Sequence, residues 1–532
     1  MRFYKQTIDL DETKLFNKLI TDFANCHPRL NPLLSDFSNL NSVKAKIKNV
    51  KNDCRSILVS VLKEQYDNTS FEVETKKVYN NIIKISDKNT YTITTGHQLN
   101  VLLSPLFLIY KIITVISYSQ YLNKRIKEAN FVPCFWMASE DHDFEEINKI
   151  KLFDNHFKWD QNELNFATGS LPSKTILPLL EELKKILEST KFGKKLYKLY
   201  HKSISKNEKY TDSIRSILTS FFYDFGLVII DGNHKNLKKM FVNEFCMEIN
   251  RGTIYKTVKQ TNELIIKNYK PHINPLVSNI FYLFKGLRSK IIFNGHKYFS
   301  KIHQQEWSYE ELIKEIKEFP ENFSPNVFLR PLYQQKIMPN ILYVGGPSEI
   351  SYWLQLKAAF HQMKILFPIL QLRSFFLILS KRQSDFIRKY NLELNDLFLN
   401  TEEKIKKIIL NLEGVELENF NIELDLFLKS INTKINKLTD LSLSSFISFE
   451  KNLIKEVKKL DKKILKQHKL SNKMILDQTR LIDKKLFPNN IPQERVDSFI
   501  PFYMKYGESF FELLISECSV FANKYTILNE KS

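Results

Sequence analysis

Residues 91–138 read YTITTGHQLNVLLSPLFLIYKIITVISYSQYLNKRIKEANFVPCFWMA, and they predict the class of the fold. The stretch starts with β-branched residues, breaks at Gly96, becomes helical in pattern near Pro105 and ends in a short apolar run. Strand, turn, helix and strand in this order form a βαβ unit, which belongs to a parallel sheet with both faces covered. The chain is therefore predicted to be an α/β protein, although residues 1–90 before this unit read as mostly helical.

Two later apolar runs repeat the pattern of a strand that ends at a turn. Residues 226–230 (GLVII) and residues 341–344 (ILYV) each lead through a polar or glycine turn into a helical pattern. The intervening segments, 150–215 and 250–325, are longer than a simple crossover, and unstructured loops of that length are uncommon in a compact domain. We therefore expect two inserted subdomains in a body that spans residues 1–380.

A proline-free, lysine-rich interval follows the body. Apolar residues between 431 and 464 recur mainly at steps of three and four, which predicts one helix stripe that faces a partner helix. The expected partner is residues 383–412, folding back through the less regular 413–428, or the same stripe of a second copy in a homodimer. Residues 381–485 are thus predicted to form a helical coiled-coil arm, and residues 486–532 to return to the body.

The charge of the chain is strongly positive, with 79 lysines and arginines against 59 aspartates and glutamates and a net charge of +20. A basic balance of this size can indicate nucleic acid, an anionic membrane or acidic substrates. The lysines are scattered, however, and no arginine-rich arm, zinc-finger spacing or aromatic RNA-binding signature accompanies them. The pattern favours a general compositional bias over nucleic-acid binding.

The cysteines and the apolar segments predict a cytoplasmic protein. Five cysteines without a CxxC pair indicate neither a disulfide framework nor a zinc site, and no metal site is assigned. The N-terminus has no apolar signal region. Residues 101–116 are the most membrane-like stretch, but serine, proline and lysine interrupt it, so a buried helix explains it better than a membrane span. Walker A, GxGxxG, GxSxG and HExxH signatures are missing.

The densest polar cluster is EDHD, which follows directly after the apolar run FVPCFWMA. Clustered carboxylates raise each other's pKa, and an imidazole between them can act as a general acid or base. In a helix, Glu140 and Asp143 would share a face that suits a metal or a substrate amine. The alternative is a helix start whose acidic residues interact favourably with the helix dipole. We predict that Glu140, Asp141, His142 and Asp143 are catalytic.

A second cluster, TGHQLN, follows the first predicted strand. Gly96 permits a tight turn, after which His97 and Gln98 offer hydrogen-bond donors at the sheet edge. A helix that starts just beyond would make this a site for phosphate or carboxylate, with Tyr110 and Lys111 one or two turns into the helix. A turn with a hydrogen-bonded histidine is the alternative. These five residues are candidate substrate contacts.

A third cluster, GGPSEISYW, occupies residues 345–353. Two glycines allow the backbone to approach a ligand, and the proline suits a first helical turn. The alternative is a simple strand-to-helix connection with Ser348 near the cap position. The candidate substrate contacts in this cluster are Gly345, Gly346, Glu349, Tyr352 and Trp353.

Upstream of the third cluster, Asn326 and Arg330 are further candidate substrate contacts. Arginine can hold a carboxylate through two parallel hydrogen bonds, although spacing alone favours a structural salt bridge for Arg330. The EDHD, TGHQLN and GGPSE clusters all follow predicted strand ends, and a parallel sheet brings those ends to one edge. We therefore predict that the three clusters border one polar pocket.

Together these blocks resemble one family, the BshC family of cysteine-adding enzymes in bacillithiol biosynthesis. The resemblance rests on TGHQLNVLLSPLFLIYKIITVIS, FVPCFWMASEDHDFEEIN, SPNVFLRPLYQ and ILYVGGPSEISYWLQLK, in this order and spacing. The C-terminal LFP and QERVDSFIPFYMKYG and the length of the chain also fit, so the resemblance covers nearly the whole chain.

The resemblance implies a Rossmann-like core with inserted connecting-peptide subdomains and a coiled-coil domain, similar in outline to class I aminoacyl-tRNA synthetases. It implies a ligase that adds L-cysteine to the amino group of glucosaminyl-malate in the last step of bacillithiol synthesis. Gly96, His97 and Gln98 stand where those synthetases carry a nucleotide-binding HIGH signature, but the sequence differs there and no KMSKS-type loop follows. The cofactor is therefore unassigned, with ATP or another nucleotide as the open alternative.

Two other functions remain open from the residues alone: a synthetase-like nucleotidyltransferase or ligase that acts on another amine or on RNA, and a coiled-coil scaffold with an inactive core. The charged EDHD block argues against the scaffold, and the absence of an RNA-binding appendage argues against the RNA enzyme. In the implied reaction, the EDHD cluster would hold an ammonium group and accept the proton of the attacking amine. Lys111 or Arg330 would hold carboxylates or phosphates.

Overall fold

The computed structural model describes residues 3–50, 54–161, 165–413, 417–435 and 443–531. Within these ranges a five-stranded parallel sheet forms the centre of the body, with apolar cores on both of its faces. The predicted α/β class with a parallel sheet is confirmed. The strands are β1 (Phe3–Asp9), β2 (Thr90–His97), β3 (Asn130–Met137), β4 (Lys149–Leu152), β5 (Asn155–Lys158), β6 (Val228–Asp231), β7 (Ile280–Phe284), β8 (Leu287–Phe293), β9 (Tyr298–Ser300), β10 (Gln305–Trp307), β11 (Phe323–Pro325), β12 (Asn340–Gly345), β13 (Ile369–Leu372), β14 (Phe375–Leu379) and β15 (Lys524–Glu530).

Helices surround these strands and also build the arm. Up to the end of the central sheet they are α1 (Lys18–Ala24), α2 (Leu40–Ile47), α3 (Arg55–Asp67), α4 (Lys76–Lys84), α5 (Leu106–Arg125), α6 (Phe144–Ile147), α7 (Leu177–Leu187), α8 (Lys191–Lys206), α9 (Tyr210–Phe222), α10 (Lys235–Lys239), α11 (Val242–Arg251), α12 (Thr253–Ile265), α13 (Tyr309–Glu318), α14 (Leu329–Ile337), α15 (Pro347–Trp353) and α16 (Lys357–Gln362). The later helices are α17 (Lys381–Lys389), α18 (Thr401–Glu413), α19 (Leu417–Ile435), α20 (Leu443–Ser471), α21 (Lys473–Leu486), α22 (Gln493–Val496), α23 (Ile500–Tyr506) and α24 (Ser509–Glu517).

Apolar side chains on both faces explain why the central strands are buried. In β3, Val132, Cys134 and Trp136 face one core. Phe135 and Met137 face the other core, because successive strand residues point to opposite faces of a sheet. All five side chains are at most 2% exposed. A strand that is apolar on both faces needs cover on both, as the run FVPCFWMA predicts.

The order of the central strands is β13-β12-β2-β3-β6. In chain order these are the fifth, fourth, first, second and third strands of the sheet, which is the Rossmann order 3-2-1-4-5-6 without its last strand. The direction of strand addition reverses between β2 and β12. Ligands of such sheets bind beside the carboxyl ends of the strands at this switch point. A site is therefore expected at the ends of β2, β3 and β12.

Helix α5 lies between the central sheet and the C-terminal helix α24 and contacts both. Its apolar side chains are buried, and Ile109, Ile112, Ile113 and Ile116 are 0% exposed. The apolar stretch around residues 101–116 thus fills the core of the body, as expected. None of the helices in the described part of the chain combines the length and the apolar content that a membrane span requires.

The two segments predicted to be insertions differ in secondary structure. Residues 150–215 cover the β4–β5 hairpin, α7, α8 and the start of α9. Residues 250–325 contain α12, α13 and an antiparallel sheet of order β10-β9-β8-β7-β11. This second segment contributes to the functional site, because strand β8 carries a side chain that reaches the end of the central sheet.

The first and last described strands meet in one small sheet. Strand β1 pairs antiparallel with β15, so that Ile8 lies opposite Tyr525, and β15 pairs parallel with β14. The described part of residues 1–90 is mostly helical, as expected, but β1 is an exception, because its partner strand lies at the other end of the chain. The last residues pack on the body through β15 and α24.

One expectation about the arm is wrong, and another holds only in part. The segment expected to be less regular is largely covered by α19, because LENFNIELDLFLKSINTKI contains neither glycine nor proline and repeats apolar residues at helical spacing. Residues 383–412 are not one partner helix, since they are divided between α17, a 3-10 turn and α18. Both α18 and α19 contact α20, so the part of the expected partner that forms α18 does pack on the long helix, together with α19.

The predicted stripe does not lie on one helix, because residues 431 and 435 belong to α19 and its members from Phe446 onward belong to α20. The part on α20 is only partly covered within one chain. Phe446 is 5% exposed, whereas Phe449 and Leu460 are 45% and 48% exposed. Leu438, another member of the predicted stripe, lies outside the described residues. The stripe therefore has apolar surface left for a further partner. The division of the chain at residues 380 and 485 stays a prediction.

Candidate active site

A cavity of about 840 Å³ lies beside the carboxyl ends of β2, β3 and β12. Residues of all three predicted clusters line it, among them His97, Asp141 and Glu349. Two of the clusters touch directly, because Gln98 Nε2 donates a hydrogen bond of 2.7 Å to Asp141 Oδ2. The structure thus brings the clusters to one polar pocket, as a parallel sheet predicts.

The end of β2 differs from the predicted turn. Gly96 and His97 are still strand residues and pair with β3. Helix α5 starts at Leu106, close to Pro105 as predicted, and a 3-10 turn at Val101–Leu103 lies between the cluster and this helix. The anion site at a helix start stays a prediction. Arg330 Nη1 lies 3.6 Å from the position that a Cβ of Gly96 would occupy, so a cation lies against the strand end.

Lys111 and Glu349 form a buried ion pair in the cavity wall, with 2.5 Å between Nζ and Oε2. Lys111 also donates to the backbone oxygen of Gly96 at 2.9 Å. Glu349 accepts hydrogen bonds of 2.8 Å from Tyr343 Oη and from the Gly346 N–H. Burial lowers the pKa of Lys111, and Lys111 in turn holds the pKa of Glu349 below its usual value against the effect of burial. These two predicted substrate contacts therefore neutralise each other.

His97 forms another part of the wall. Its ring packs against Phe107 with 5.1 Å between the ring centroids, and its Nδ1 lies 3.2 Å from the backbone oxygen of Gln98. Loss of solvation, together with the charge of Lys111, lowers the pKa of His97 to about 3. His97 is therefore neutral at physiological pH and adds no positive charge to the site.

The EDHD cluster forms a turn, and helix α6 begins only after it, at Phe144. The Asp141 N–H donates to Ala138 O at 3.2 Å, and the Thr168 N–H donates to Asp141 O at 2.7 Å. This non-local bond from Thr168 replaces helical bonding. The expectation that Glu140 and the last acid of the cluster share a helix face is therefore wrong.

Glu140 has a structural partner in Lys238. Its carboxylate lies 2.7 Å from Lys238 Nζ, and Lys238 is 0% exposed. Lys238 also donates to Asn233 Oδ1 at 2.8 Å and to the backbone oxygen of Glu321 at 3.0 Å. A buried ammonium group needs such partners, because burying an unpaired charge is costly. Glu140 thus holds the EDHD turn to α10.

Arg288 of β8 is a site residue that the sequence did not indicate. Its guanidinium donates to Ser324 Oγ at 3.0 Å and to Pro325 O at 2.9 Å, and it lies 4.0 Å above the ring of Phe281. Its Nη1 is 3.2 Å from His142 Nδ1. A single arginine in a β-hairpin carries no local signal of function. Only the pairing of β7 with β8 and β11 brings it to the EDHD turn.

Asn326 and Arg330 both line the cavity. Asn326 Oδ1 accepts hydrogen bonds of 3.0 Å from two backbone N–H groups at the start of α14. Arg330 donates to Gln334 Oε1 at 2.9 Å and to Tyr352 Oη at 3.2 Å. Among the residues that the structure describes, Arg330 has no carboxylate partner, so the expected structural salt bridge is not formed and its charge is free for a ligand.

Three of the predicted substrate contacts, Tyr110, Gly345 and Trp353, do not line the cavity. Tyr110 is 0% exposed and packs on Phe376 at 5.0 Å, because neighbouring residues of a helix point in different directions and Lys111 occupies the cavity side. Trp353 is also 0% exposed and stacks on the ring of a tyrosine at 4.1 Å. The aromatic residues Tyr110 and Trp353 therefore belong to the core, which corrects the prediction.

One residue before the arm and one after it also reach the cavity. Arg373, which follows β13, and Arg495 of α22 both line it. Glu494 accepts hydrogen bonds from Arg373 Nη1 at 2.9 Å and from Nη2 at 2.5 Å, and both side chains are 3% exposed. The two residues are 121 positions apart, so no local pattern connects them.

Comparison with known proteins shows which family the chain matches. A family model described as "Bacillithiol biosynthesis BshC, N-terminal Rossmann-like domain" matches residues 3–374. A second model, "Bacillithiol biosynthesis BshC, C-terminal coiled-coil domain", matches residues 376–530. Together the two models cover the body, the arm and the last strand.

Curated relatives match over nearly the same length. A protein of Flavobacterium johnsoniae named "Putative cysteine ligase BshC" is 34% identical over 96% of this chain and 97% of its own. Proteins of the same name from Christiangramia forsetii and Flavobacterium psychrophilum are each 32% identical over 98% of both chains. The similarity therefore includes the cavity and the arm together.

Proposed function

The chain belongs to the BshC family of bacillithiol biosynthesis, and we propose that it is a ligase that adds L-cysteine to the amino group of glucosaminyl-malate. The name shared by its relatives supports a cysteine ligase. In this proposal the amide bond completes bacillithiol in the last step of its synthesis, and the reaction takes place in the cytoplasm.

The observation that carries the proposal is that one cavity presents free charges of both signs. Among the described residues, Lys290, Arg330 and Arg495 line the cavity without an ion-pair partner. Asp143 and Glu146 line it without a cationic partner. Glucosaminyl-malate carries two carboxylates and an amine, and cysteine carries a carboxylate and an ammonium group. Substrates of mixed charge match a site that offers both kinds of partner.

The chemistry assigns a proton acceptor to the acidic side of the cavity. The amine nitrogen forms a bond with the carboxyl carbon of cysteine, one oxygen leaves that carbon, and the attacking amine loses a proton. Asp141 or Asp143 would take this proton, since both carboxylates line the cavity. The departing oxygen needs activation, and ATP or another nucleotide is the cosubstrate class that we expect. Its phosphates would suit the free arginines.

Mass spectrometry of the purified protein with glucosaminyl-malate and cysteine tests the proposal. We expect a product with the mass of both substrates less one water, formed faster when ATP is present. Serine in place of cysteine is the matched control, because it differs only in the hydroxyl that replaces the thiol. A protein that forms no cysteine-containing product with any nucleotide, or that transfers cysteine only to another amine or to RNA, contradicts the proposal.

We also propose that the arm forms a homodimer, because the apolar stripe of α20 is incompletely covered within one chain. Leu453 and Val457 in this stripe are half-buried. A lysine at such a position is costly when a second helix covers it, but is tolerated when the surface faces water.

We therefore expect the parent protein to be a dimer and Leu453→Lys to have the mass of one chain, 63.0 kDa, with little change in helicity. The measurement is light scattering coupled to size-exclusion chromatography. Asn452→Lys on the exposed side of the same helix should leave the mass unchanged. A parent protein that is monomeric, or a Leu453→Lys variant that stays dimeric, contradicts the dimer.

A further inference from the structure

The contact between Arg288 and His142 defines which nitrogen of the imidazole carries a hydrogen. Arg288 Nη1 lies 3.2 Å from His142 Nδ1, within hydrogen-bond distance. A guanidinium can only donate hydrogen bonds, so Nδ1 must accept and must present its lone pair to Arg288. A neutral imidazole has one N–H group, and in His142 this group is then Nε2–H.

Arg288 is held firmly enough to impose this arrangement. Its other guanidinium nitrogens donate to Ser324 and Pro325, and its flat face lies 4.0 Å above the ring of Phe281. The residue is 7% exposed. The same Phe281 ring lies 5.6 Å from the imidazole of His142, so it supports both groups. Asp141 Oδ1 lies farther from His142 Nδ1, at 3.7 Å, so Arg288 is the nearer polar partner of this nitrogen.

The charges around His142 also favour the neutral ring. Burial lowers the pKa of His142, and the positive charge of Arg288 lowers it further. Lys290 on the same strand acts in the same direction, while Asp141 and Asp143 raise the pKa and do not overcome the other effects. His142 is therefore neutral at physiological pH.

We propose that Arg288 holds His142 as the neutral Nε2–H tautomer, so that His142 donates a hydrogen bond to the acyl oxygen under attack and is not the base. The donor role rests on the proposed amide-forming function. His142 lines the cavity, and among the described residues its Nε2 has no hydrogen-bond partner. Its only lone pair faces Arg288, so it cannot receive the amine proton, which passes to Asp141 or Asp143.

The donor role follows from the movement of electrons in the reaction. As the amine nitrogen bonds to the acyl carbon, the carbonyl electron pair moves onto the oxygen, which becomes negative. A fixed N–H group near that oxygen stabilises the charge without reorganisation. The electron pair forms the carbonyl bond again when the activated oxygen leaves the carbon. Arg288 itself is a positioning residue in this scheme, because it acts through His142.

Nuclear magnetic resonance of protein labelled with ¹⁵N-histidine tests the tautomer without substrate. We expect a His142 signal with hydrogen on Nε2 and none on Nδ1 at neutral pH, assigned by its loss in His142→Gln. Arg288→Met should raise the pKa of His142 and allow both tautomers. Lys285→Met removes another cation of the same hairpin, which lies over the ring of Phe284. This variant should leave the pKa and the tautomer of His142 unchanged. An Nδ1–H tautomer or an imidazolium in the parent overturns the inference.

Kinetics separate a donor from a base. Glutamine keeps an N–H group near the position of Nε2, so His142→Gln should retain activity within about tenfold, while His142→Ala should lose about 10²–10³-fold, as for loss of an oxyanion donor. Equal loss in both variants overturns the donor role. A parent protein that forms no product contradicts the proposed function instead, and the resonance experiment still decides the tautomer.

Discussion

The replacement Asp141→Asn is expected to lower the rate of cysteine-dependent product formation by about 10²–10⁴-fold, the usual effect of losing a positioned general base, while the protein stays folded. The carboxylate of Asp141 accepts hydrogen bonds from Gln98 Nε2 at 2.7 Å and from the backbone N–H of His142 at 2.8 Å. Arg288 Nη1 lies 3.6 Å from Asp141 Oδ1. Asparagine keeps the shape and one accepting oxygen, but it cannot take a proton or bind an ammonium group with a negative charge. The rate is measured by mass spectrometry, with thermal melts of each variant alongside.

Glu145→Gln is the matched control for this prediction. Glu145 lies only four residues further along the chain and is exposed, and its ion pairs with Lys149 and Lys158 are on the surface. Loss of its charge should leave the rate unchanged. If Asp141→Asn melts normally and turns over at the parent rate, Asp141 has no part in the reaction. If it melts much earlier and its folded fraction is active, Asp141 is structural.

Glu494→Ala is expected to destabilise the protein by about 3–5 kcal/mol, because removal of one partner leaves the other charge buried and unpaired. Arg373 and Glu494 are each 3% exposed and share hydrogen bonds of 2.9 and 2.5 Å. The pair joins the end of β13 to α22, so its loss should loosen the segment that follows the arm. Urea unfolding followed by circular dichroism measures the change in the free energy of unfolding.

Two further variants make this test specific. Asp385→Ala breaks an Arg388–Asp385 pair whose side chains are 76% and 49% exposed, and exposed pairs contribute only about 0–1 kcal/mol. The double variant Arg373→Met, Glu494→Leu removes both buried charges and should recover most of the lost stability. A Glu494→Ala variant as stable as Asp385→Ala would show that the buried pair is not needed for folding.

The body was predictable because its signals are local. The strand β2, the helix α5 and the strand β3 each follow from apolar runs and breaks within a few residues of one another. The same holds for the polar clusters, since each lies at or directly after the end of its own strand. The parallel sheet then brings these clusters to one edge, which is a property of the fold class and needs no further information.

Other features could not be predicted, because they depend on the direction of a side chain or on contacts with distant residues. Tyr110 and Lys111 are neighbours in sequence, yet one points into the core and the other into the cavity wall. The EDHD cluster forms a turn because a backbone bond from Thr168 holds it. The strand β1 was not predicted, because its only neighbour in the described structure is β15, at the other end of the chain.

The amino-acid sequence alone was sufficient for the parallel α/β body, for the polar clusters at its strand ends and for the helical character of the arm, because each depends on residues that are close in the chain. Three-dimensional packing was needed to distinguish the paired charges from the free ones. Arg288 and His142 are 146 positions apart, and Arg373 and Glu494 are 121 positions apart. A charged side chain has the same local pattern whether its partner is another residue or a substrate, so its role depends on contacts that only the folded chain forms.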